Sequence, residues 1–310
     1  MKDFLDKELQ KRKKLTQLNV VNPKGIGVLG LNEGRILLLG LNRAFHAKPV
    51  AGCDTDRGKI ELMEKELPGI FYTTDFREML TMREVDIVAI FTPDARHGDH
   101  IVEAFEAGKD VICIEPLINS TTDALRILSV ARETDCRLMV GQGTRFFEPF
   151  KRQRADFERG ELGDLEFVDA HFTQRMDWYY EKSGWAATDT DWVFLGLSHP
   201  IDLLRWYLGP IEEVHAYGYK SQLGKQYEIK GCDVYTVNVK AKSGKMGRAF
   251  GHYGLKELPG ARNALELMLY GTKKNKPGAV PRYEVQIQCG RRHGNIRGSL
   301  ICLPSLLFQQ

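Results

Sequence analysis

Through the first half of the chain, short runs of wholly apolar residues alternate with stretches whose apolar positions recur at helical spacing. Apolar strand cores fall at residues 26–29, 50–53, 85–91, 111–114 and 138–140. Between them, residues 36–44, 56–67, 75–82, 99–107 and 120–134 read as helices. Ser120, Thr121 or Thr122 is the candidate cap of the last, and Gly108 ends the one before it. Strands without polar alternation are buried on both faces, which implies a parallel sheet between helices. From about residue 160 the pattern changes. Longer strands at 165–172, 211–219, 234–239, 245–252 and 263–270 follow one another with convincing helices only at 149–159 and 200–208. That pattern predicts an α+β region with a largely antiparallel, open sheet.

Composition narrows the class. A chain of 310 residues exceeds what one core usually supports, so two domains are expected. Forty-four basic against 41 acidic residues leave a net charge of +3, too balanced for a nucleic-acid or membrane-surface protein. The six cysteines form no C-x-x-C pair and have no histidine at metal spacing. Cys53, Cys113 and Cys136 lie in or beside apolar runs and read as buried thiols in a reducing cytosol. No metal site is expected. No apolar run approaches the roughly 20 residues of a membrane span. Residues 1–24 are highly charged and lack the apolar core of a signal peptide, so they read as a solvated extension of a cytoplasmic protein.

Candidate chemistry begins at Gly30-Leu31-Asn32-Glu33-Gly34-Arg35, which follows the first strand and opens a helix. The second strand then ends on Asp54. A glycine turn offers backbone N–H groups and the positive end of a helix to a pyrophosphate, and an acid after the second strand takes ribose hydroxyls. The usual second glycine is Asn32 here. Arg35 stands at the third glycine's place, with Gly34 one residue early. On these residues alone a plain strand–turn–helix stays open beside nucleotide binding. Asp54 favours NAD, while Arg57 is near enough to reach the 2′-phosphate of NADP. Thr92-Pro93 ends a buried strand at the edge where ligands sit in such sheets, and His97, four residues after Pro93, is a helix-start or cofactor-adjacent residue. The expected layout is a doubly wound parallel sheet of the Rossmann type over residues 25–143. An α+β substrate and oligomerisation domain follows over 144–310, atypical beyond 271.

In this order and spacing, a set of segments resembles the Gfo/Idh/MocA oxidoreductases, the family of glucose–fructose oxidoreductase, inositol 2-dehydrogenase and the rhizopine-catabolism proteins. The set is Ile26-Gly27-Val28-Leu29-Gly30-Leu31, Cys53-Asp54, Tyr72-Thr73-Thr74-Asp75-Phe76, Val88-Ala89-Ile90-Phe91-Thr92-Pro93-Asp94 with His97, Gly108-Lys109-Asp110-Val111, Pro116-Leu117, Gly141-Gln142 with Arg145-Phe146, Gly160-Glu161-Leu162-Gly163 and His199-Pro200-Ile201-Asp202-Leu203-Leu204-Arg205-Trp206. The match covers about residues 24–271. It implies bound NAD or NADP and hydride transfer between nicotinamide and a sugar or cyclitol carbon, in a homo-oligomer such as a dimer or tetramer. The cofactor contacts it implies are Gly30, Leu31, Asn32, Glu33, Asp54, Thr92, Pro93, His97, Glu115 and Gln142. Arg145, Tyr179 and His199 would face the substrate.

Two positions depart from the family pattern. Where the family has Glu-Lys-Pro after its fifth strand, this chain has Ile114-Glu115-Pro116. Where the family has Asp-x-x-x-His, it has Leu195-Gly196-Leu197-Ser198-His199, keeping only the histidine. His199 and Glu115 are therefore the expected acid–base residues. Replacement of a cation by a carboxylate also leaves two other readings: a non-catalytic nicotinamide-binding sensor or scaffold, and an NAD-using lyase or hydrolase. Trp178, Tyr179, Tyr180, Trp185 and Trp192 suit either a sugar face or a core. Asp202 reads as an anchor in the first turn of the 200–208 helix. Arg291-Arg292-His293 reads as a charged loop.

Overall fold

The computed structural model describes residues 22–256, 263–273 and 282–289. Most of the charged N-terminal stretch and the Arg291-Arg292-His293 segment lie outside them. The described chain divides into two compact units, one running to Gly141 and one from Gln142.

The first unit is a six-stranded, wholly parallel sheet in the order β3-β2-β1-β4-β5-β6. Its strands are β1 (Lys24–Leu29), β2 (Ala47–Cys53), β3 (Phe71–Thr73), β4 (Ile87–Ile90), β5 (Asp110–Ile114) and β6 (Leu138–Gly141). The helices α1 (Gly34–Leu41), α2 (Arg57–Glu66), α3 (Phe76–Thr81), α4 (His97–Glu106) and α5 (Thr121–Thr134) link them. Asp56, Asp75 and Ser120 accept backbone N–H bonds at the starts of α2, α3 and α5, the role their small polar side chains favour. Val28, Val88, Ala89 and Ile90 are wholly buried. Each large aliphatic so placed contributes about 1.5–3 kcal/mol, which is why these runs carry no polar alternation. One side packs on Met79, Ile101 and Phe105, the other on Leu37, Leu38 and Met63. Leu29 lies in register with both Cys53 and Ile90, so the residues following β1, β2 and β4 emerge side by side. At three residues, β3 is too short to show in the apolar pattern.

The second unit holds a sheet ordered β12-β11-β7-β10-β9-β8. Its strands are β7 (Leu165–Arg175), β8 (Ile211–Tyr219), β9 (Val234–Ala241), β10 (Met246–Leu255), β11 (Asn263–Gly271) and β12 (Arg282–Cys289). All neighbours are antiparallel except β7 and β10. The helices α6 (Glu148–Glu158) and α10 (Ser198–Leu208) belong to this unit, and α10 seats Leu203 and Leu204 in its core. Short helices α7 (Asp177–Lys182), α8 (Trp185–Thr188) and α9 (Trp192–Leu195) precede α10, and α11 (Gln222–Gln226) follows β8. Four to six residues cannot display a helical period, so the sequence shows none of these. Among the described residues no helix is long and apolar enough to cross a membrane.

Candidate functional site

In the first unit the site grows from the ends of the strands. Gly30 adopts φ +92°, and a Cβ there would stand 2.6 Å from the Phe91 carbonyl oxygen. Only glycine lets the turn lie this close to the end of β4. Gly34 fills the close-packing role expected of a third glycine, because a Cβ would stand 2.6 Å from a Val28 methyl. Arg35 points away from that contact and pairs with Glu66 at 2.5 Å. No side chain caps the first turn of α1. Its N–H groups and its dipole therefore suit an anion.

Asp54, at the end of β2, is buried. Its Oδ2 accepts the Leu31 N–H at 2.8 Å, and its Oδ1 accepts the Asp56 N–H at 2.9 Å. Lys59 Nζ lies 3.2 Å and 3.3 Å from the two oxygens. The acid thus joins the glycine turn to the start of α2. Asn32 and Glu33 are exposed at the tip of the turn. A cradle that a Cβ would fill, an uncapped helix end and a buried carboxylate at the second strand fit a dinucleotide.

Thr92 and Pro93 follow β4. His97 is buried with Nδ1 2.9 Å from the Pro116 carbonyl and Nε2 2.8 Å from the Thr92 carbonyl, so it spans the loops after β5 and β4. His100 Nδ1 lies 3.0 Å from Thr92 Oγ1. Burial, aided by nearby His97, lowers its pKa to about 4, leaving a neutral ring at pH 7. The sequence reading missed both His100 and Lys59. The available signals were the i, i+3 spacing from His97 and a lysine five residues after Asp54. Glu115 is part-buried at the end of β5, and its peptide bond to Pro116 is cis. Burial first, and then the Glu115 charge, push the Cys113 thiol well up, so it is an inert neighbour.

In the second unit, Gln142 leads into a 3₁₀ turn, Gly143–Phe146. The buried Gln142 Oε1 and Thr144 Oγ1 have no hydrogen-bond partner among the described residues. Arg145 forms a two-pronged ion pair with Asp202, both contacts at 2.6 Å, and its guanidinium lies 5.5 Å from the Trp206 ring centre. Because α10 begins at Ser198, Asp202 falls beyond its first turn and secures the helix through Arg145 rather than through the helix dipole. His199 is the second residue of α10, edge-on to Phe172 with centroids 5.0 Å apart. Enclosure lowers its pKa to about 4 against a weaker opposing pull from Asp202. At pH 7 it is a neutral imidazole, and a weaker base than a free one. Tyr179 is half-buried, edge-on to Trp178 and Trp185, whereas Tyr180 and Trp192 belong to the core. Among the described residues no three His, Cys, Asp or Glu side chains gather as a metal site.

Gly30, Leu31, Asp54, Thr92 and His97 therefore gather at the strand ends of the first unit, which also carries Glu115. Gln142, Arg145, Tyr179 and His199 stand on the second.

Comparison with known proteins finds matches in both halves of the chain. A family model described as "Oxidoreductase family, NAD-binding Rossmann fold" matches residues 24–142, and the "GFO/IDH/MocA C-terminal domain" matches 150–274. An uncharacterized oxidoreductase of Bacillus subtilis, YrbE, is 25% identical over 229 residues, covering 71% of this chain and 64% of that protein. An inositol 2-dehydrogenase of Gluconacetobacter diazotrophicus is 29% identical over 189 residues, covering 59% and 54%. The chain thus spans less than two thirds of the length of either relative. In fold it is similar to apo scyllo-inositol dehydrogenase from Lactobacillus casei, with a TM-score of 0.73 at 18% identity over 86% of this chain and 76% of that one. With its nucleotide half and its second half both matched, the chain belongs to the Gfo/Idh/MocA oxidoreductase family.

Proposed function

We propose that the protein is an NAD(P)-dependent oxidoreductase that moves a hydride between nicotinamide and a hydroxyl-bearing carbon of a sugar or cyclitol. The observation that carries this reading is the Gly30–Asp54 cradle, in which a glycine turn and a buried carboxylate are tied together at adjacent strand ends. The Gly30–Glu33 turn would bind pyrophosphate through the N–H groups of Asn32 and Glu33, since those of Gly30 and Leu31 donate to Cys53 and Asp54, and Asp54 would accept the ribose hydroxyls. Thr92 and Pro93, braced by His97, would wall the cofactor, with Glu115 and Gln142 toward its nicotinamide end. When bound, the cofactor supplies the hydride acceptor. His199 takes the hydroxyl proton; burial leaves it neutral at pH 7 but also a weaker base than a free imidazole. Glu115 is the second acid–base group. Arg145 holds α10, and so His199, through Asp202, while Tyr179 offers an aromatic face to the substrate. The inositol dehydrogenases among the relatives support a cyclitol or sugar as substrate. A dimer or tetramer completes the reading, supported by the exposed Val214, Tyr217 and Tyr219 of β8, and its place is the cytoplasm, as the cysteines in apolar runs suggest.

The test has two stages. NADH titration should enhance nicotinamide fluorescence, and Asp54→Ala should weaken NADH by about tenfold or more, and NADPH less, because charge-assisted bonds to the ribose are lost. A screen of sugars and cyclitols with NAD should then produce NADH. Equal losses for both cofactors would overturn the role of Asp54. Failure of every polyol in a protein that binds NADH would overturn the substrate class.

A further inference from the structure

The Asp54 carboxylate offers about four lone-pair positions. The structure fills them all. Leu31 N–H and Asp56 N–H each take one oxygen, at 2.8 Å and 2.9 Å, and the Lys59 ammonium straddles both at 3.2 Å and 3.3 Å. A ribose diol must donate its two O–H bonds to this same carboxylate. The two backbone donors are held by the turn and by the start of α2, so they stay. Lys59 is the partner that can leave, since its side chain is 39% exposed on a flexible stem and such ion pairs are weak. Its ammonium stands in for the diol.

A second observation concerns where that cation sits. Arg57 and Lys59 both fall in the first turn of α2, where the helix dipole disfavours positive charge. The arrangement makes sense if an anion stands there, and Asp54 is only one such anion. A 2′-phosphate on the ribose would arrive beside Asp54, and repulsion between the two is what normally excludes it. With Lys59 in contact with the carboxylate, that charge is already neutralised, and Arg57 adds a second cation on the same turn. We infer that Lys59 is a specificity-determining residue: by neutralising Asp54 it lets the site take the 2′-phosphate of NADP as well as the free diol of NAD. This rests on the nucleotide-binding reading above.

Calorimetric titration of the full chain with ADP-ribose and with its 2′-phosphate tests the inference without turnover. The unaltered protein should bind both, with dissociation constants within about tenfold of each other. Lys59→Met should weaken the 2′-phosphate by about tenfold or more, while ADP-ribose binds as well or better, having no ammonium to displace. Lys59→Arg should keep both. Equal loss of both ligands in Lys59→Met, or no loss of either, would overturn the inference by making Lys59 structural or irrelevant. An unaltered protein that takes ADP-ribose and rejects its 2′-phosphate would overturn it while leaving the nucleotide site intact. Binding of neither ligand would overturn both.

Discussion

The first unit buries both faces of its sheet and keeps its polar chemistry at the strand ends. The second instead carries a polar cluster in the middle of its sheet. In the first, Gly30, Asp54 and Glu115 each follow the last residue of a strand, so polar residues punctuate apolar runs. In the second, polar and apolar residues alternate within strands. Asp169 and His171 lie on one face of β7, and Arg248 on β10 is directly opposite Asp169 in register. Arg248 donates to the buried Asp169 at 2.6 Å and 3.1 Å, and His171 Nε2 lies 2.8 Å from it. Burial raises the Asp169 carboxyl, but these hydrogen bonds overcome it and hold the group below the ordinary range. The contrast teaches that polar residues do different work in the two halves. At the strand ends Asp54 ties the glycine turn to the start of α2, and within the second sheet Asp169 holds strands together.

That division can be broken most sharply at His199. His199→Ala should lower kcat by about 10²–10⁴-fold, the usual worth of a positioned base, and leave NADH affinity unchanged. Loss of NADH binding in the variant would show that the two halves do not divide their labour in this way. Asp169→Ala should destabilise the protein by about 1–3 kcal/mol in urea denaturation, because Arg248, though partly exposed, and His171 lose their shared acceptor. NADH affinity at low temperature should be unaffected. A stability change near zero would reduce the network to decoration.

A third test uses pH. His100 in the first unit and His199 in the second have folded pKa values of about 4 against an ordinary 6.5, both chiefly through burial. The unfolded chain binds these protons first as pH falls, so the stability they confer is complete above pH 6.5 and is lost on the way down to about 4. Allowing for partial exposure, His100 accounts for about 2 kcal/mol of this loss, and His100→Gln should flatten the slope by that amount. An unchanged slope would place the acid sensitivity in the second unit alone. The smallest expected effect is the coupling between Arg145 and Asp202. A double-mutant cycle should give about 1 kcal/mol, because the arginine is about one-third exposed. Either single variant should lower kcat more than it raises KM, since the pair holds the helix that bears His199. No change in kcat would remove the pair from the positioning of His199.

Much of this was legible in the chain. Apolar runs marked β1, β2, β4, β5 and β6, and the residues capping α2, α3 and α5 are those whose side chains cap helices well. The family was visible in the order of its segments. The short helices before α10 and the three-residue β3 were not, since a few residues carry no period. The parallel pairing of β7 with β10 was also hidden, because it joins strands more than 70 residues apart within a mostly antiparallel sheet.

The sequence by itself determined which residues lie at strand ends, which faces are apolar, and that a glycine turn at Gly30 and an acid at Asp54 follow the first two strands. These are local properties, set by side-chain period, turn chemistry and backbone freedom. Only the tertiary structure decided that Gly34 takes over a missing glycine's packing role, that Arg145 is engaged by Asp202, and that burial lowers the His199 pKa. It alone brought Lys59 onto the carboxylate of Asp54. Some of these partners lie far apart in the chain, as Arg145 and Asp202 do, and others near, as Lys59 and Asp54 do, but each pairing and protonation depends on the folded backbone and on the water that folding removes.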